Sequence, residues 1–208
     1  MRQPAIRYDA CPEICARLDH PGLATDIPRW INHVGLDTTI DQASIEDALA
    51  AIDLGGKQQI LHVGVGNSQF AQRFAPMVAR IDGITVWEPE RTFADVLGIA
   101  NYRVHFLSKY SREFLLTIDG TYDYIVDNNL ASFACCKYHF HRMFDNYLWC
   151  LRLGGRILTD QRGMDWTVED DPRWQLTYDD LVAVGQRFAL RAARLTETVY
   201  ELRREASE

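Results

Sequence analysis

Short apolar runs alternate with stretches whose apolar residues return at the helical period through most of this sequence. Ile60 to Val63 reads as a short buried strand. The helix predicted after Ser68 carries Phe70 and Phe74 four apart on one face, and Pro76 ends or kinks it. Ile84 to Trp87 is a second apolar run, ended by Glu88, and a helix is predicted over Glu90 to Ile99. Tyr102 to Leu107 is a third strand, followed by a short helix to about Ile118 and a turn at Asp119-Gly120. Tyr122 to Val126 is a fourth. The strongest periodicity spans His139 to Leu153, where Phe140, Met143, Phe144, Tyr147, Leu148 and Leu151 share one face. Gly154-Gly155 closes that helix ahead of a fifth strand, Arg156 to Thr159. A late helix runs from Thr177 or Tyr178 to Phe188. Leu190 to Leu195 and Thr198 to Arg203 are separated only by Thr196-Glu197, which reads as a tight hairpin or as one continuous strand. Such alternation is what a doubly wound, mostly parallel α/β sheet requires, and that fold is expected.

The first 55 residues lack that alternation. Prolines at 4, 12, 21 and 28 mark irregular chain, and Ser44 can cap a helix from Ile45 to about Leu54 that Gly55-Gly56 stops. The expected division is an N-terminal segment, residues 1–55, and a ligand-binding domain, residues 56–208.

Candidate chemistry begins after the first strand, at Gly64-Val65-Gly66-Asn67-Ser68. Glycine allows a sharp turn and close approach to a ligand, because no Cβ intervenes. The helix start that follows offers unpaired N–H groups. Glu88 lies 22 positions after Gly66, where an acid ending the second strand can accept hydrogen bonds from ribose hydroxyls. Strand, glycine turn, helix, strand and acid together form a nucleotide-binding corner. A dinucleotide site needs a small residue three places after the second glycine, and Gln69 stands there.

On these residues the chain resembles the class I S-adenosylmethionine-dependent methyltransferases. Gly64 to Ser68 is similar to the family's first motif, Glu88 to its ribose-binding acid, and Leu153-Gly154-Gly155-Arg156-Ile157-Leu158 to the segment entering its fifth strand. The resemblance covers roughly residues 55 to 205. It implies a seven-stranded, Rossmann-like sheet with an antiparallel seventh strand, an N-terminal helical cap, and S-adenosylmethionine as cofactor. One position departs: the family has an acid two places before the first glycine, and this chain has His62.

Composition limits the partners. A formal net charge of −7 does not suit broad contact with a phosphate backbone, so a small-molecule acceptor is expected rather than nucleic acid. No run approaches a membrane span, the N-terminus lacks the apolar core of a secretory signal, and a cytoplasmic protein is expected. Five cysteines, Cys11, Cys15, Cys135, Cys136 and Cys150, read as thiols, and no metal is expected from their spacing or from that of His139 and His141. Nothing fixes the oligomeric state.

In an open parallel sheet, ligands bind beyond the carboxyl ends of the strands. The expected cofactor contacts are Gly64, Val65, Gly66, Asn67, Ser68, Glu88, Pro89, Ser108, Lys109, Tyr110 and Asp127. Asn129, Tyr138 and Trp166 are the expected substrate contacts, and His139 and Asn128 the catalytic candidates, with His139 as a general base. Asp127-Asn128-Asn129-Leu130 stands where related amine and amide methyltransferases carry an aromatic-ended, proline-containing motif; both prolines and the aromatic are missing. The expected activity is methyl transfer to a small-molecule O or N acceptor. Aminocarboxypropyl transfer, cyclisation and a non-catalytic binding module are the alternatives.

Overall fold

The computed structural model describes residues 35–166 and 174–205. Strands β1 (Gln59–Val63), β2 (Arg80–Thr85), β3 (Tyr102–Phe106), β4 (Tyr122–Val126), β5 (Leu151–Asp160), β6 (Leu190–Arg194) and β7 (Val199–Arg204) form one sheet in the order β3-β2-β1-β4-β5-β7-β6. β7 runs antiparallel to β5 and to β6, and every other pairing is parallel. The helices are α1 (Ile40–Ala50), α2 (Gln69–Phe74), α3 (Glu88–Leu97), α4 (Phe114–Thr117), α5 (Lys137–Cys150), α6 (Gln161–Met164) and α7 (Tyr178–Arg187). None of the described helices is long and apolar enough to cross a membrane.

The central strands are buried on both faces, which is why they read as continuous apolar runs rather than as alternating ones. Leu61, Ile125 and Ile157 pack on one side with Phe114, Phe140, Phe144 and Leu181; Ile60, Val126 and Leu158 pack on the other with Ile45, Leu49, Phe70 and Phe74. The α2 pair Phe70 and Phe74 meets ring to ring at 4.8 Å.

β4 has the expected bounds, and the last two strands form the hairpin. Three departures from expectation bear on the site. β2 is Arg80–Thr85, four residues earlier at its start than the apolar run suggests. It carries the buried Asp82, matched by Arg80 (Nε to Oδ2, 2.6 Å), by Tyr122 (Oη to Oδ2, 2.8 Å) and by His105 (Nε2 to Oδ1, 3.4 Å). It also carries Gly83, where a Cβ would fall 2.5 Å from Val65 Cγ1. An acid and a glycine disguise this strand. Second, α5 ends at Cys150, and Leu151 already belongs to β5. The double glycine sits inside that strand, with Gly154 at φ +78° beside the register shift between Tyr122 and Tyr124. Third, α1 starts at Ile40, with Thr39 as N-cap, so Ser44 lies inside the helix and donates to the Ile40 carbonyl at 2.9 Å.

Candidate functional site

A cavity of about 360 Å³ opens at the carboxyl ends of β1, β2, β3 and β4. Gly64, Val65, Gly66 and Asn67 line it, with Ser108, Lys109, Tyr110, Asp127, Asn128, Asn129 and Trp166. Six further lining residues, Asp37, Thr38, Thr39, Asp41, Gln42 and Glu46, come from α1 and the segment before it. The rest of the expected N-terminal cap, residues 1–34, lies outside the described residues.

The turn after β1 is built by left-handed backbone. Gly64 stands at φ +74° and Gly66 at φ +51°, a region that side chains with a Cβ rarely adopt. Among the described residues, its two chain neighbours apart, no atom lies within 4 Å of a Cβ built on Gly64, so the turn presents bare backbone to the cavity. Ser68 caps α2 in the same left-handed region, but it is buried away from the cavity, its hydroxyl 3.1 Å from that of Tyr102. Asn67 Oδ1 accepts from the amide of Gln69 at 3.1 Å. This bond occupies one of the amides that a phosphate would otherwise take at a helix start.

The structure moves the acid of this corner. Glu88 is the first residue of α3, not the last of β2; its side chain is 45% exposed, pairs with Arg91, and does not line the cavity. Pro89 is exposed and also outside it. Glu90, in the first turn of α3, is the buried acid that lines the cavity. Its Oε2 accepts from Thr85 Oγ1 at 2.5 Å, and the Gly66 amide bonds the same carboxyl. Burial raises its pKa against those two hydrogen bonds. Pro89 was the overlooked signal: proline belongs in a helix's first turn, so it assigns Glu88 to the helix and ends the strand earlier.

At the β4 end, buried Lys109 spans the turn. Its Nζ donates to Asp127 Oδ2 at 2.8 Å and to the Asn129 carbonyl at 2.8 Å, and Tyr147 Oη donates to the same Asp127 oxygen at 2.7 Å. Burial lowers the Lys109 pKa, opposed by Asp127. Tyr110 Oη holds the Ser132 carbonyl at 2.6 Å. Lys109 and Tyr110 thus line the cavity while spending their polar atoms on the β4–α5 loop. Asn128 is similarly engaged. Its amide donates to Asp41, and its carbonyl accepts from Thr159 at 3.1 Å.

Two buried polar side chains of the described lining have no hydrogen-bond partner. Both amide atoms of Asn129 and both ring nitrogens of His62 are buried without a hydrogen bond. His62 stacks on Phe70 at 4.3 Å, and burial pushes its pKa down to about 3, so it is neutral at physiological pH. Buried polar groups are nearly always paired, and an unpaired one calls for an explanation.

The expected acceptor groups divide. Trp166 lines the cavity, stacked on Trp174 at 5.3 Å and edge-on to Phe133 at 5.7 Å. Tyr138 is 58% exposed and outside. His139 does not reach the cavity either: it is buried behind the loop, with Nδ1 facing Cys135 and Cys136 and Nε2 facing Arg142. Its place at the start of α5 turns it inward rather than towards the strand ends. Asp41 and Gln42 were missed because α1 was read from Ser44, and Glu46, placed in the first turn of that helix, was not linked to the strand ends. Thr39-Ile40-Asp41-Gln42 fits the helix-start pattern and would have placed them on one helix.

No protein-family model matches the sequence, and a comparison with curated proteins finds none that matches. Solved structures do match. The N-methyltransferase NodS from Bradyrhizobium japonicum WM9, in complex with S-adenosyl-l-homocysteine, is similar at a TM-score of 0.62 and 14% identity, over 83% of this chain and 91% of that one. The 1,6-didemethyltoxoflavin-N1-methyltransferase of Burkholderia thailandensis, with its namesake compound and S-adenosylhomocysteine bound, gives 0.62 and 17%, over 98% and 94%. An amino pentose methyltransferase from Micromonospora echinaspora, with S-adenosylmethionine bound, gives 0.58 and 12%, over 78% and 89%. At these identities the likeness is one of fold.

Proposed function

We propose that this chain, which has the fold of the class I S-adenosylmethionine-dependent methyltransferases, binds S-adenosylmethionine in the cavity at the strand ends and transfers its methyl group to a small-molecule O or N acceptor. One observation carries the reading: a bare glycine turn opens into a cavity whose described lining holds five carboxyl groups, Asp37, Asp41, Glu46, Glu90 and Asp127, against two cations, Lys109 and Arg162. A sulfonium and an ammonium against one carboxylate give the cofactor a net positive charge, which such a lining attracts. A dinucleotide's pyrophosphate would meet repulsion there, with Asn67 already on the amide of Gln69.

The residues suit the parts of that ligand. Glu90, already accepting from Thr85 and Gly66, has acceptor capacity left for ribose hydroxyls and takes the role expected of Glu88. Gly64 and Gly66 let the nucleoside lie against backbone. Ser108 and Leu107 form the floor after β3, where adenine would lie. Neutral His62 can accept from the cofactor's ammonium without adding a charge. When bound, the cofactor supplies an electrophilic methyl on sulfur.

The chain's own part is alignment and exclusion of water. Asn129, unpaired and held by Lys109 on its backbone, orients the acceptor. Trp166 and Phe133 wall the acceptor end and give an aromatic face to the sulfonium. The acidic chain supports a small molecule over nucleic acid. His139 does not line the cavity, so it is not taken as the base; the acceptor reacts as a neutral nucleophile or loses its proton to a lining carboxylate or to water.

The test is calorimetric titration with S-adenosylmethionine, followed by product analysis with small amines and hydroxyl compounds. Binding with formation of S-adenosylhomocysteine supports the proposal. Methylthioadenosine instead would assign a different transfer from the same cofactor. Absence of binding would reject the proposal.

A further inference from the structure

Behind the acceptor wall, Cys135, Cys136 and His139 bring three soft donor atoms together at the start of α5. Cys135 Sγ lies 3.3 Å from His139 Nδ1 and 3.6 Å from Cys136 Sγ, and Cys136 Sγ lies 3.6 Å from the same nitrogen. All three atoms fall within 4.8 Å of one another. Cys136 and His139 are buried and Cys135 is half-buried. Sequence spacing conceals this group, because the cysteines are adjacent rather than two apart. The extended backbone of the N-cap, Cys136 at φ −163° and ψ 169°, followed by the first helical turn, folds both thiols back over the imidazole.

We propose that Cys135, Cys136 and His139 form one face of a tetrahedral site for a thiophilic divalent ion of the Zn²⁺ class. Zinc binds thiolate at about 2.3 Å and imidazole nitrogen at about 2.0–2.1 Å, so a tetrahedral centre requires sulfur–sulfur edges of about 3.8 Å and sulfur–nitrogen edges of about 3.6 Å. The three observed edges agree with these to within a few tenths of an ångström. Hydrogen bonding alone accounts less well for them, since both sulfurs converge on one nitrogen that has a single in-plane lone pair or a single proton. Cys136 is also the N-cap residue of a helix of 14 residues, which fixes its backbone beside His139 in the first turn. The donor set suits zinc and not magnesium or calcium, which take oxygen.

Binding releases one proton from each thiol as its sulfur bonds the ion. His139 ligates through Nδ1, so its proton resides on Nε2, and Arg142, whose Nη1 is 3.5 Å from that atom, turns aside. The ion would anchor the C-terminal end of the loop that carries Asn129, Ser132 and Phe133 into the cavity lining. Its role is to hold that wall. The proposal does not depend on the cofactor reading.

The test uses the full, reduced chain stripped with a chelator. Titration with Co²⁺ should produce tetrahedral d–d bands and thiolate-to-cobalt charge-transfer absorption, saturating at one equivalent and displaced by Zn²⁺, with about two protons released per ion. Iodoacetamide footprinting of the wild-type chain then locates the site without mutation: Zn²⁺ should protect Cys135 and Cys136, whether or not Cys11 and Cys15 are protected too. C135S/C136S and His139→Ala should weaken uptake by more than the roughly 10–100-fold typical of losing an outer partner, while Cys150→Ser leaves it unchanged. Absence of a thiolate band would overturn the site. So would alkylation of Cys135 and Cys136 at metal-free rates in the Zn²⁺-loaded protein, even if the variants failed to fold.

Discussion

Two polar clusters are buried in this one sheet, and they differ in whether their hydrogen bonds close. Around Asp82 every participant has a partner: Arg80, Tyr122 and His105 converge on the carboxylate, and although burial pushes its pKa up, their hydrogen bonds bring it below the usual range. At the carboxyl edge, in the neighbouring strand, His62 has none, nor has the Asn129 amide beyond β4. A closed cluster is structure. An open one, lining a cavity beside a glycine turn, leaves its hydrogen bonds for a ligand. The comparison separates residues that hold the sheet from residues proposed to hold the cofactor, which residue type alone does not.

The largest expected effect breaks the closed side. Asp82→Ala leaves Tyr122 and His105 without their acceptor and should cost about 3–5 kcal/mol of stability, the range for removing one partner of a buried charged pair. Urea denaturation measures it, and a loss below about 1 kcal/mol would mean the cluster does not hold β2. On the open side, Glu90→Ala should weaken S-adenosylmethionine binding by about 1.5–3 kcal/mol, as for hydrogen bonds to a charged group. Glu88→Ala should change affinity by less than about twofold, because that side chain faces Arg91 and solvent. Calorimetry on both variants decides, and the reverse order would restore Glu88 to the ribose.

His62→Leu sharpens the contrast, since it should raise the stability of the ligand-free protein by about 1–2 kcal/mol, by removing unpaired buried nitrogens, while weakening the cofactor. The pH dependence gives its sign independently. With a folded pKa of about 3 against 6.5 unfolded, the imidazole takes up its proton first in the unfolded chain. Its contribution is complete above pH 6.5 and is lost as pH falls from 6.5 towards 3, by up to about 1.4 kcal/mol per unit. Glu46 and Glu90, raised by burial, slope the other way, losing stability as pH rises above 4.5. Subtracting the His62→Leu profile from wild type therefore isolates the imidazole. Coincident profiles would show that His62 is hydrated or paired in solution.

Much of this fold could be read from the chain. β4 is apolar apart from Asp123 and was placed to the residue, and the Thr196-Glu197 gap gave the hairpin. What hid the rest is specific. Asp82-Gly83 breaks the apolar run of β2, because a buried acid with three partners and a glycine pressed on Val65 do not look like strand interior. That error put Glu88 at the end of the strand, whereas Glu90 is the acid of this turn that lines the cavity. Leu151 continues the α5 stripe in sequence but turns extended in space, so helix and strand merged into one pattern. His139 lay correctly at a helix start, yet which way it faced depended on Cys135 and Cys136, which no periodicity weighs. The glycine turn and the strand-end residues from Ser108 to Asn129 were legible because the parallel topology dictates where strands stop.

The account rests on the open cluster being a ligand's counterpart, and a crystal structure with S-adenosylhomocysteine measures that directly. The account predicts ribose hydroxyls within hydrogen-bond distance of Glu90, the methionine amine at a ring nitrogen of His62, and the Asn129 amide facing the vacated methyl position. A complex in which Glu90 and His62 both stay unbonded to the ligand, with the nucleoside on Glu88 or outside the glycine turn, would contradict it.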